Sequence, residues 1–178
     1  MHCFTKAVVL AASTTAAVLG IASGPAKADM KEWKAVAAKF GTFLPKPLNG
    51  WKTTKLITGV SNSAFQKEIV ARKVYRPKKA GGGLGPQIGI SIGGKPDWKK
   101  PPFNLRCLKD QSARICKSYT VKTVGGRQYL VRKKKENLIY VTFVDKRIAV
   151  QFAAKWIKAK DIETYAAKVN YQKLAAVK

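Results

Sequence analysis

The chain has 178 residues, of which 46% are hydrophobic, with 35 Lys or Arg against 9 Asp or Glu and a single histidine. This length suits one domain, and a chain of such size buries roughly 70% of its unfolded surface without a disulfide scaffold. A formal charge of +26 makes polyanions the natural partners, while the lone His2 argues against a histidine-based triad or metal site.

Residues 1–28 read as a secretory leader. Lys6 gives the short positive start, and an apolar stretch runs from Ala7 to Ala22, interrupted by Ser13, Thr14 and Thr15. Gly24, Pro25 and the small-residue pattern Ala26-Lys27-Ala28 follow, which predicts cleavage after Ala28. The stretch is shorter than the ~20 residues of a spanning helix, and no twin arginine is present. Cleavage removes Lys6, Lys27, His2 and Cys3, leaving 33 basic against 9 acidic residues over 29–178, a net charge of +24. The expected organisation is therefore a leader, 1–28, and one basic domain, 29–178, in the periplasm or secreted.

Asp29 and Glu32 have the spacing of a capping box, and Trp33, Val36, Ala37 and Phe40 line one face of a helix that Gly41 ends. Residues 43–50 are turn-rich. Trp51 opens a strand, 69–76 forms another, and the glycine-rich 77–86 reads as a flexible loop. Ile88, Ile90 and Ile92 alternate as in a strand. After the interrupted segment 97–104, strands are expected over 117–124, 128–132, 138–144 and 147–153. The last two share a two-residue turn, Asp145-Lys146, with Ile139, Val141 and Phe143 on one face and Ile148, Val150 and Phe152 on one face. Asp161 is placed to cap a closing helix with Ile162, Tyr165, Ala166, Val169 and Lys173 on one side. The pattern predicts an α+β fold, an antiparallel meander packed by N-terminal and C-terminal helices.

Cys107 and Cys116 stand nine positions apart, without CxxC spacing and without a histidine nearby in sequence, which predicts a disulfide in an oxidising compartment. Gly89 to Lys95 satisfies GxxxxGK, but Pro96 replaces the hydroxyl residue that a phosphate loop needs, so a tight turn after a strand is the better reading. The nine acids are scattered, and several suit caps or turns. No catalytic, metal-binding or cofactor-binding residue is assigned, and no cofactor is expected.

Charge is the positive signal. Twenty-eight of the 35 cations are lysine, which suits diffuse attraction to anions. The candidate anion-binding residues are Lys78, Lys79, Lys99, Lys100, Arg132, Lys133, Lys134 and Lys135, with Arg72-Lys73 a further basic pair. Trp98 and Phe103 are the candidate exposed aromatics, whereas Trp33, Trp51, Phe143, Phe152 and Trp156 read as core.

The chain resembles small exported domains of the PsbP and Mog1-like type. The resemblance is carried by Leu44-Pro45 leading to Gly50-Trp51, Ala71-Arg72 with Tyr75, Val124-Gly125-Gly126, Tyr165-Ala166 and Leu174-Ala175, over roughly residues 33 to 176. It implies an antiparallel sheet between helices that serves binding or assembly and not catalysis. The cysteine pair, the glycine-rich loop and the basicity depart from that pattern.

The functional expectation is an exported, non-catalytic module whose basic surface docks on an envelope lipid, a polysaccharide or, non-specifically, nucleic acid. The alternative is an accessory or chaperone-like factor for an exported acidic protein. Third comes an enzyme that uses lysine or carboxylates.

Overall fold

Ile88, Ile90 and Ile92 are all fully buried on one face of a strand, β4 (Gln87–Gly94), as their alternation requires. The computed structural model describes residues 27–63, 66–80, 85–94 and 103–177, with side chains over 30–60, 68–80, 85–94 and 105–177. The predicted leader therefore lies outside the described residues except for Lys27 and Ala28. Helix α1 (Lys27–Thr42) precedes β1 (Trp51–Thr53), β2 (Ile57–Ser63) and β3 (Gln66–Pro77), which lead to β4. After a disulfide-clipped segment come β5 (Thr120–Val124), β6 (Arg127–Lys134), β7 (Asn137–Val144) and β8 (Ile148–Lys155), then α2 (Ala159–Ala167) and α3 (Tyr171–Ala175).

All described pairings are antiparallel, in the order β1-β3-β4-β8-β7-β6-β5, and β2 pairs with the same edge of β3 as β1. The expected α+β class holds in its broad form, although the sheet dominates. The four-strand meander β5 to β8 starts at the far edge and returns to the middle, where β8 pairs with β4.

Several local expectations change. The chain is already helical at Lys27, so Asp29 lies inside α1 and is not its cap, and the helix ends at Thr42, one residue beyond Gly41. Strand β2 had no sequence signal, because its ITGVSNS sequence is rich in small polar residues; it exists through seven register pairs with β3. In the β7–β8 hairpin Val144 pairs with Ile148, so the connection is Asp145, Lys146 and Arg147, not the expected two residues. Asp145 and Lys146 both take positive φ there, 49° and 54°. This one-residue slip puts Phe143 opposite Ala149 and Val150 opposite Thr142, so the two apolar rows face opposite sides of the sheet.

Each row meets its own core. Ile148, Val150, Phe152, Tyr140 and the β4 isoleucines pack with Ala37 and Phe40 of α1 and Ile162, Tyr165 and Ala166 of α2. On the other face Val141, Phe143 and Leu130 pack with Cys107 and Cys116, which are joined in a disulfide with a Cα–Cα distance of 5.2 Å. The expected bond thus clips a short segment over β6 and β7. Lys158, not Asp161, occupies the N-cap position of α2, without a side-chain capping bond; Asp161 sits in its first turn, where the helix dipole favours a carboxylate. The closing helix also divides. Val169 stays buried, but Asn170 caps α3 by accepting a 3.0 Å bond from the Lys173 backbone N–H, and the Lys173 side chain is exposed.

The GxxxxGK stretch runs in β4 as far as Gly94 instead of turning at its glycines: Gly93 and Gly94 still pair with Ala149 and Ile148, and Lys95 lies outside the described residues. A Cβ on Gly93 would approach the Ile69 carbonyl to 2.9 Å, so close strand contact explains this glycine.

The disulfide closes a short loop, for which chain entropy gives about 2–3 kcal/mol. Replacing both Cys107 and Cys116 with alanine is predicted to lower the melting temperature by about 5–10 °C, read by circular dichroism. An unchanged melting temperature, or two titratable thiols in the native protein, would contradict the clip.

Candidate anion-binding surface

Register brings separate basic segments to one end of the sheet. Lys134 pairs with Asn137, Asn137 with Lys155, and Lys155 with Gln87. Gln87 in turn accepts 3.1 Å and 2.9 Å hydrogen bonds from Nε and Nη2 of Arg76. Arg76, Lys155 and Lys134 therefore end three strands along one row that crosses β3, β4, β8, β7 and β6. Four strand spacings make that row about 19 Å wide. Lys78 and Lys79 continue from β3 at this end, both exposed, and Lys135 forms the β6–β7 turn at φ 51°. Glu136 is the one acid in the stretches 76–79, 133–137 and 155–158.

The basic run of β6 does not act as a single patch. Alternation along the strand puts Arg132 and Lys134 on the disulfide face and Lys133 on the helix face, where it pairs with Leu138. Arg132 is half-buried, with its guanidinium 5.8 Å from the centre of the Tyr119 ring, so part of its work is packing. Lys133, Lys134 and Lys135 are exposed. Of the remaining candidates, Lys99, Lys100 and Trp98 lie outside the described residues. Phe103 begins a 3-10 turn, Phe103–Leu108, but its side chain is also outside them.

Trp156 corrects the expected core. Trp33 and Trp51 are half-buried against the main core, and Phe143 and Phe152 are buried, but Trp156 is 49% exposed. Continued alternation after Ala154 would turn Trp156 inward. Instead its backbone takes φ +54°, which swings the ring off the sheet face while its N–H donates a 3.1 Å bond to the Glu136 carbonyl. The ring lines a cavity of about 680 Å³ with Lys133, Lys135, Leu138, Tyr140 and Lys158, and the Lys155 Nζ lies 4.0 Å from its centre. No periodicity rule gives a positive φ for tryptophan, so the sequence did not signal this exposure.

A larger cleft of about 1070 Å³ occupies the opposite sheet end, between the Gly125-Gly126 turn and the α2–α3 junction. Its polar groups bind one another. The Tyr171 hydroxyl donates to the Ala166 carbonyl at 3.1 Å and meets the Tyr129 hydroxyl at 2.7 Å. Arg127 stacks 4.1 Å above the Tyr171 ring and donates to the Phe143 carbonyl at 3.2 Å. Burial raises the pKa of both tyrosines, so they remain neutral hydrogen-bonding groups.

The clearest acid–base cluster is Lys122, Glu163 and Tyr140. Lys122 Nζ lies 2.6 Å from Glu163 Oε1, which also accepts a 3.1 Å bond from Tyr140. The lysine hydrogen bond, then the tyrosine bond, hold the Glu163 carboxyl below its usual range, and the same carboxylate raises the Lys122 pKa. Both groups are thus fixed in their charged forms, the reverse of what a proton-transfer residue working near neutrality needs. Among the described residues no group of three or more His, Cys, Asp or Glu side chains is arranged to hold a metal. No described helix is long and apolar enough to cross a membrane.

Compared with known proteins, the chain matches no family model, no curated sequence and no solved structure.

Because its folded pKa is depressed, Glu163 contributes stability that is present above its ordinary value of 4.5 and is lost as pH falls through the folded value. Glu163→Gln is therefore predicted to melt lower than the unmodified protein near neutral pH, with the difference shrinking toward zero on acidification. A difference that grows in acid would contradict the Lys122–Glu163 pairing.

Proposed function

We propose that this chain is an exported, non-catalytic module that docks on anionic polymer through the basic end of its sheet. One observation carries the reading: Arg76 with Lys78 and Lys79, the run ending at Lys135, and Lys155 with Lys158 are far apart in sequence but meet at one sheet end. A scattered solubilising charge has no need for such convergence. A row of lysines bearing exposed ammonium groups favours charge attraction over shape-specific recognition.

Other features support the same reading. The charged-locked Lys122–Glu163 pair argues against general acid–base chemistry at that cluster. The disulfide fits an oxidising compartment, and with the leader-like 1–28 it supports export. A PsbP- or Mog1-like relationship would agree with binding over catalysis. Its motif residues gather in packing roles: Tyr75 donates a 2.7 Å bond to the Pro45 carbonyl, and Tyr165 packs on both Tyr75 and Trp51. They give no partner identity.

The test is retention on immobilised anionic polysaccharide, anionic vesicles and single-stranded DNA across a salt series. The log of affinity for at least one of them is expected to fall linearly with log salt. Replacing Lys133, Lys134 and Lys135 together with glutamate should weaken that binding and reduce the slope by about 3. The reversals Lys168→Glu and Lys173→Glu, near the opposite sheet end, should leave it largely intact. Equal loss from both sets would detach binding from the basic end. Indifference to all three polyanions, with capture of one acidic protein, would favour an accessory factor for that protein.

A further inference from the structure

The basic end of the sheet contains one feature that charge attraction does not explain. Trp156 is the one exposed aromatic ring among the described residues, and its backbone is left-handed at φ +54°. A bulky side chain in that region is a conformational outlier, and such strain persists where surrounding structure enforces it. Here the backbone bond to Glu136 holds it in place. Hydration of a pure charge patch would be served better by a lysine or asparagine. Instead the strained turn presents an indole that lines a cavity of about 680 Å³ with Lys133, Lys135, Lys158 and the single acid Glu136.

Resting on the polyanion-docking reading, we infer that Trp156 is a ring-stacking subsite for one sugar unit of an anionic polysaccharide, whose acid groups run along the adjoining lysines. The apolar C–H face of a pyranose covers an indole ring, while its carboxylate or sulfate needs a cation at the ring's margin. Lys155 supplies such a cation from one side of the ring: its ammonium lies over one indole face, 4.0 Å from the centre, and the sugar takes the other face. The polysaccharide is favoured over single-stranded nucleic acid by the number of platforms. Proteins that track a nucleic acid strand stack successive bases on several aromatic side chains, whereas among the described residues this end offers a single exposed ring. The roughly 19 Å row of cations then holds the units on either side by charge alone.

Two substitutions separate the ring from the charge. Trp156→Asn removes the indole but keeps a residue that tolerates the left-handed backbone, and Trp156→Phe retains an aromatic face. Each is measured by titration with an oligogalacturonate, with linear polyphosphate, which is anionic but ringless, and with oligothymidylate, after melting curves confirm that the fold is kept. Trp156→Asn is expected to weaken oligogalacturonate binding about 5- to 20-fold, with polyphosphate changed by less than about twofold and Trp156→Phe largely restoring affinity. Equal effects on sugar polymer and polyphosphate, or no effect on either, would overturn the subsite. If the triple lysine variant still lost binding, the docking reading would survive that result. A larger loss for oligothymidylate than for oligogalacturonate would overturn the assignment of a sugar. Failure of the unmodified protein to bind any of the three would remove the docking reading, and this subsite with it.

Discussion

Tyr165 holds together the part of the molecule on which the basic end depends. Its ring packs 4.8 Å from Tyr75 and 5.5 Å from Trp51, centre to centre, and its hydroxyl accepts a 3.2 Å bond from the Leu48 N–H. Tyr75 completes the arrangement by donating to the Pro45 carbonyl. Three separate pieces, α2, the turn before β1 and the end of β3, are thereby tied to one another. Burial raises the pKa of both hydroxyls, so both stay neutral and Tyr75 keeps the proton it donates to Pro45. Concentrating like charge on one sheet end is repulsive, and only a well-packed support keeps such an end from splaying. The aromatic cluster provides that support directly behind Arg76, Lys78 and Lys79.

The fold was legible wherever burial followed a simple period. The β4 isoleucines, the 33–40 face of α1 and the apolar strands β7 and β8 emerge from two- and 3.6-residue patterns because one side of each faces a core. The disulfide was legible from cysteine count and spacing. What remained hidden depended on tertiary context. β2 lacks an apolar row and forms because β3 is long enough to pair with both β1 and β2 on one edge. The three-residue β7–β8 connection was unreadable because two consecutive non-glycine residues, Asp145 and Lys146, take positive φ. That slip shapes the fold, since it divides the apolar rows between a helix-covered face and a disulfide-covered one.

The site was legible as composition but not as geometry. Lys78, Lys79 and the run ending at Lys135 are conspicuous in the sequence, but their convergence requires β4 to pair with β8 across a crossover of more than fifty residues. Local pattern cannot supply such a pairing. Strand alternation also separates Arg132 and Lys134 from Lys133, so a run that looks continuous in sequence serves both faces of the sheet. Trp156 departs from its pattern for a related reason: alternation predicts an inward ring, and a single left-handed residue reverses it.

The proposed function requires one sheet end to receive the anionic polymer. Backbone amide shifts recorded while an oligogalacturonate is added test this residue by residue. Changes are expected to concentrate at 76–79, 133–137 and 155–158, with the Gly125–Gly126 turn and 168–173 at the opposite end unmoved. Changes centred on that opposite end, or spread evenly over the exposed lysines, would contradict it.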